Sequence, residues 1–122
     1  LAVNDGFEPV NIEQAATEAS IILFLIPDQA QKHIYEKYIE PYLVQNDLLI
    51  FAHGFSINYR KINPPDHVDV CLLAPRMPGT PIRSHYLNGH GVPAFMDVHQ
   101  NASGKAKGVL LGSWLERVIG WC

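Results

Sequence analysis

The chain has only two cysteines among its 122 residues, Cys71 inside an apolar run and Cys122 at the last position. Two cysteines so placed make no disulfide framework, and a reducing cytoplasm is the simpler setting. Charge of one sign is also scarce: 9 basic against 12 acidic side chains leave a net charge of −3, with no run of Lys or Arg. That balance argues against a nucleic-acid or membrane-surface partner and for a small molecule. No apolar stretch approaches the ~20 residues of a membrane span. The six histidines are too scattered for a metal cluster, and His85 and His90 read as surface residues. No pair of carboxylates points to a hydrolase, and Ser56 and Ser84 lack the context of a nucleophile elbow. A glycine-rich phosphate loop of the form G-x-G-x-x-G is absent too. Either no dinucleotide binds, or the strand and loop that would hold it precede Leu1. Leu1 to Asp5 carry neither an initiator methionine nor a signal-peptide layout, which reads as a start inside a larger unit.

What is present is a series of short apolar runs, in a chain of 48% hydrophobic content that suits one domain with a real core. Leu48 to Phe51 continues into Ala52, His53 and Gly54. Consecutive apolar residues fit a parallel strand covered on both faces, while His-Gly is a poor continuation of it. Ile21 to Ile26 is a second such run, ended by Pro27, and His67 to Ala74 a third, ended by Pro75. Val92 to Val98 predicts a short fourth strand and Gly6 to Val10 a further short one. Between them, Asn11 predicts the cap of a helix over Ile12–Ala19, and Asp28 the cap of one from Gln29 to about Tyr38. Ser56 to Asp66 reads as an irregular functional loop, Ile82 to Leu87 as a short helix, and Ser103 as the cap of a last helix over Gly104–Val118.

Strand, helix and strand with short connections force parallel pairing and a right-handed crossover. The fold class is therefore α/β, with a mostly parallel sheet flanked by helices. If all strands run parallel, four polar ends meet at one sheet edge: Pro27-Asp28-Gln29, His53-Gly54, Pro75-Arg76 and His99-Gln100. Ligands bind at that edge in open α/β sheets. Residue by residue, His53 can be an acid, a base or a strand-end hydrogen-bonder, and Asp28 a plain cap or the start of a polar-ligand site. Arg76 is a natural anion partner, Gly79 either admits a ligand or makes a turn of positive φ, and Cys71 reads as core.

Taken together, these pieces resemble the nucleotide-binding domain of ketol-acid reductoisomerase. The resemblance is carried by Leu25-Ile26-Pro27-Asp28-Gln29 with Gln31 following, Phe51-Ala52-His53-Gly54-Phe55-Ser56-Ile57, Asn63-Pro64-Pro65, Ala74-Pro75, Pro78-Gly79-Thr80, Gly91-Val92-Pro93 and Val98-His99-Gln100-Asn101-Ala102-Ser103-Gly104-Lys105-Ala106. They run in order over nearly the whole chain. The resemblance implies a Rossmann-like domain, here partial because its first strand and Gly-rich loop would precede Leu1. It implies NADPH as cofactor, with Pro27, Asp28 and Gln29 lining its cleft and Gly79 on the nicotinamide-ribose side. It implies His53 as the catalytic histidine, and magnesium whose carboxylate ligands would follow Cys122. In that family magnesium polarises an acetohydroxy acid, an alkyl group migrates and NADPH reduces the resulting keto acid, a step in branched-chain amino-acid synthesis. A homo-oligomeric, cytoplasmic full-length protein is implied as well. Arg76 departs from the pattern, standing where the family usually has a lysine near the substrate; it keeps the charge but gives up its proton far less readily. The alternative is a non-catalytic NAD(P)-binding or interaction domain derived from that family.

Overall fold

The computed structural model describes residues 3–117. Helix α1 (Ile12–Glu18) is capped by Asn11, whose side chain accepts the Gln14 N–H at 2.8 Å, as the sequence predicts. Strand β1 (Ile21–Phe24) follows, then α2 (Asp28–Ile34), which continues through a π-helical turn (Tyr35–Ile39) and a 3₁₀ turn (Glu40–Tyr42) around Pro41. After β2 (Leu48–Phe51) comes a single helical turn, α3 (Phe55–Asn58), and then β3 (Asp69–Pro75). Helix α4 (Gly79–Leu87), β4 (Ala94–Gln100) and α5 (Ala106–Arg117) complete the fold.

The sheet order is β1-β2-β3-β4. β1 and β2 pair in parallel from Ile21 opposite Leu48 to Phe24 opposite Phe51, and β2 and β3 from Leu48 opposite Asp69. β2 is buried along its whole length, and its alternation explains the unbroken apolar run. Leu49 and Phe51 pack with Ala16, Phe24, Tyr35, Ile39, Ile62, Val68 and Val70 under α1 and α2. Leu48 and Ile50 face the other way, toward Cys71, Ala106 and Leu110 under α5. A strand covered on both faces has no polar side, and each such side chain contributes roughly 1.5–3 kcal/mol of burial.

Several expectations are corrected. No strand forms at Gly6–Val10: Gly6, at φ +86°, closes a 3₁₀ turn over Val3–Asp5, and the following residues stay exposed with no partner strand. Pro27, in an extended conformation, takes the cap position of α2, so Asp28 is the helix's first residue and its carboxylate is free for another partner. The loop after His53 is partly ordered by α3. The last helix begins at Ala106 and not at Gly104, because Gly104 adopts a left-handed φ of +73°. The Ser103 hydroxyl instead receives the Lys105 N–H at 3.0 Å, and the Asn101 side-chain Oδ1 that of Ala106, also at 3.0 Å. Val118 lies outside the described residues.

The largest correction concerns β4, which runs antiparallel to β3, with Pro75 opposite Ala94 and Val70 opposite Gln100. Its connecting helix α4 buries no residue and therefore cannot pack across the sheet as a crossover helix must. The chain returns at the edge it left, where the Arg76 N–H bonds the Pro93 carbonyl at 2.9 Å. His99 and Gln100 consequently lie at the opposite edge from His53. Gln100 there donates to the carbonyls of Pro65 and Val68, at 2.8 and 2.7 Å, and fixes the approach to β3.

No helix among the described residues is long and apolar enough to cross a membrane. Cys71, expected in the core, is buried, and burial followed by the charges of Asp69 and Asp97 pushes its thiol up to about 11. Alkylation followed by peptide mapping should leave Cys71 unlabelled at neutral pH until the protein is denatured. Because the folded-state value is raised, the stabilising difference is full below the unfolded thiol's value near 9 and is lost as pH rises toward about 11. Rapid labelling of the native protein at Cys71 would contradict this placement.

Candidate active site

The site is built where β1 and β2 end. Their register sets Phe24 beside Phe51, so the residues leaving both strands emerge together at one edge. From β1 come Leu25 and Ile26, 66% and 37% exposed, then Pro27 and Asp28; from β2 come Ala52, His53 and Gly54. His53 Nδ1 lies 3.1 Å from Asp28 Oδ2. The histidine side chain is 69% exposed and the aspartate 32%, so the pair adds little to stability and much to orientation. The His53 ring also lies near-parallel to that of Phe55, with centroids 6.4 Å apart, and Phe55 packs on Tyr59 at 4.9 Å.

Behind this pair stands a buried polar chain. Gln31, on the inner side of α2, donates from Nε2 to Asp28 Oδ1 at 3.2 Å and to the Ile26 carbonyl at 3.1 Å. Its Oε1 accepts the Ser56 hydroxyl at 2.6 Å. Both Gln31 and Ser56 are buried, at 2% and 1% exposure. Sequence reasoning did not give either residue a role. The legible signal was the position of Gln31, three and four residues before the apolar Ile34 and Tyr35 of the same helical face, since a polar group on a buried stripe must find partners.

The other sequence-derived residues are distributed along the same edge. Pro27 and Gln29 are exposed beside Asp28. Arg76 is the residue after β3, with its guanidinium carbon 4.8 Å from the centre of the Phe95 ring on β4. Among the described residues it forms no ion pair, and its partners are Phe95 and the Pro93 carbonyl, not the Asp28–His53 pair. Gly79 opens α4; it does not have positive φ, and a Cβ placed on it would meet no atom of the described residues outside its own helical turn within 4 Å. The turn reading of Gly79 therefore fails, and neither backbone geometry nor protein packing requires glycine there.

These features fit a flat, partly apolar ligand with polar edges. Leu25 and Ile26 offer uncovered apolar surface next to the histidine–aspartate pair, and the space around the Gly79 Cα is open. They do not fit a metal ion: among the described residues no three His, Cys, Asp or Glu side chains are grouped to hold one. His85 and His90, with ring centroids 6.1 Å apart, are both exposed.

Comparison with known proteins yields a coherent set. A family model described as acetohydroxy acid isomeroreductase, NADPH-binding domain, matches residues 1–115. A ketol-acid reductoisomerase (NAD(P)(+)) of Metallosphaera sedula is 49% identical over 102 residues, 84% of this chain and 30% of that protein. A ketol-acid reductoisomerase (NADP(+)) of Pyrococcus abyssi is 47% identical over 110 residues, 90% of this chain and 33% of its own. The chain thus spans about a third of the length of the curated relatives it matches. The solved structure of an NADH-preferring ketol-acid reductoisomerase from an uncultured archean superposes with a TM-score of 0.92 at 42% identity, covering 98% of this chain and 36% of that one. The sheet and its helices are accordingly a Rossmann-like arrangement.

Proposed function

The chain belongs to the ketol-acid reductoisomerase family, and from that premise we propose that residues 1–122 form part of the N-terminal cofactor domain of an NADPH- and magnesium-dependent isomeroreductase. Its substrates would be acetohydroxy acids, converted to dihydroxy acids in branched-chain amino-acid synthesis, by a homo-oligomeric cytoplasmic protein. The observation that carries the reading is the Asp28–His53 pair set beside uncovered apolar surface at the parallel strands' carboxyl ends.

Bound NADPH would supply the hydride. Pro27, Asp28 and Gln29 would line its cleft, and Gly79 would let it approach the first turn of α4. His53, its Nδ1 proton held by a carboxylate, would be left with Nε2 to accept or carry a proton near the reacting carbon. Arg76 would act as a fixed positive charge, since arginine does not give up its proton in this range. Metal ligands are not grouped among the described residues, so no step is assigned to magnesium on this chain.

Calorimetry with NADPH on the intact gene product, followed by turnover of 2-acetolactate with magnesium, tests the proposal; absence of both would end it. Binding without turnover would favour a non-catalytic NAD(P)-binding domain, a reading that the engagement of Arg76 with Phe95 supports. The 122 residues alone are expected to give no turnover, and a magnesium-dependent reaction by them would contradict that. Gly79→Ala sharpens the cofactor assignment. With no positive φ and open space, alanine should leave stability unchanged or raise it by about 0.4–1 kcal/mol. Its methyl should meanwhile weaken NADPH binding, and unaltered affinity would remove Gly79 from the cofactor site.

A further inference from the structure

We propose that Gln31, held by Ser56, is a positioning residue that fixes the tautomer of His53 through Asp28. The inference rests on the reading of His53 as the histidine at the reacting end of the cleft, and adds the device that keeps its neutral ring in one tautomer.

The orientation of the Gln31 amide follows from its neighbours. The Ile26 carbonyl and the Asp28 carboxylate can only accept hydrogen bonds, and both lie within 3.2 Å of Nε2. Oε1 must therefore face the other way, and there the Ser56 hydroxyl donates to it at 2.6 Å. Because Gln31 and Ser56 are buried, water cannot readily take over any of these bonds, and unmaking one leaves an unsatisfied polar group. The amide is thus a rigid tether for Asp28 Oδ1. Asp28 alone, with a third of its side chain in solvent, would have rotamers that turn away from His53. Tethered at Oδ1, it presents Oδ2 to His53 Nδ1 at 3.1 Å. A carboxylate can only accept, so the proton sits on Nδ1 and neutral His53 keeps its lone pair on Nε2. Free imidazole side chains favour the opposite tautomer, so the pair selects the less common form. Phe55, near-parallel to the ring, restrains its tilt but cannot distinguish the two nitrogens.

The test is the ring-nitrogen spectrum of the intact ¹⁵N-labelled protein at mildly alkaline pH, where histidine is neutral. In the wild type His53 should show Nδ1–H. Asp28→Ala should convert it to Nε2–H, and Gln31→Met, which keeps the side-chain length and removes the amide, should do the same. Ser56→Ala should move the population in the same direction. If the wild type shows Nε2–H, the proposal fails. It fails equally if Asp28→Ala changes the tautomer while Gln31→Met and Ser56→Ala, both folded, keep the wild-type spectrum. Should Gln31→Met not fold, Ser56→Ala carries the same decision.

For turnover of 2-acetolactate, Gln31→Met should lower kcat on the order of tenfold or more with KM little changed, the signature of lost orientation. A protein with no turnover at all would overturn the proposed function and leave the spectra to judge the tether.

Discussion

Replacing His53 with asparagine should lower turnover of 2-acetolactate by about 10²–10⁴-fold, the usual contribution of a positioned acid or base, while leaving NADPH binding and the melting temperature unchanged. The separation of the two effects follows from the structure. The His53 side chain is 69% exposed, reached among the described residues by one polar partner, Asp28, and one ring, Phe55, so its removal opens no cavity. Asparagine still offers a donor to Asp28 at a similar reach, which spares the carboxylate from losing its partner, but it cannot accept and return a proton. A variant as active as the wild type would strip His53 of its role and leave the pair as a plain strand-end contact. A variant that also melts early would mean the histidine holds the β2 exit in place.

Asp69→Ala is expected to have the largest effect on stability, lowering it by about 3 kcal/mol or more. Asp69 heads β3, is 2% exposed, and is the only described carboxylate tied into the loop before α5: it accepts the Ser103 N–H at 2.9 Å and the Ser103 hydroxyl at 2.6 Å. Hydrogen bonds to a charged acceptor contribute more than neutral ones, and the half-buried Ser103 amide and hydroxyl lose their acceptor together. The same hydroxyl receives the Lys105 N–H, so its loss also loosens the start of α5 and, through Ala106 and Leu110, the cover over Leu48 and Ile50. Thermal unfolding should shift down by roughly 10 °C or more. Asp69→Asn should recover part of the loss, since its carbonyl oxygen can still accept the Ser103 N–H while the hydroxyl turns to accept from the carboxamide. If the alanine variant melted with the wild type, the α5 face would have to be held by apolar contact alone.

Much of this architecture can be read directly from the residues. The apolar runs that start at Ile21, Leu48 and His67 mark strands because they lack the alternation of a half-exposed strand, and the helix read between the first two leaves only parallel pairing for that pair. Asn11 marks a cap because its side chain satisfies an otherwise orphaned N–H. The location of Asp28 and His53 at strand ends was legible for the same reason, since a proline or a His-Gly pair cannot extend a ladder.

What the residues did not disclose were relations set by long-range contact. Nothing local in Ala94 to Gln100 states its direction; β4 runs antiparallel because α4 lacks an apolar stripe with which to cross the sheet, and that outcome moved His99 and Gln100 away from the site. Asp28 reads as a cap until Pro27 is seen to occupy that position, which releases the carboxylate to His53 across two strands. Gln31 and Ser56 are 25 residues apart, and only folding α2 against α3 shows one as the partner of the other.

The sequence by itself thus determined the fold class, the four strands from Ile21 onward, and the edge at which Asp28 and His53 emerge, because those depend on apolar patterning and chain-breaking residues within short windows. The tertiary structure alone decided which polar groups meet there, the direction of the last strand, and the buried chain from Ser56 to His53, because hydrogen bonds between distant segments are chosen by packing and not by any local preference of the residues that make them.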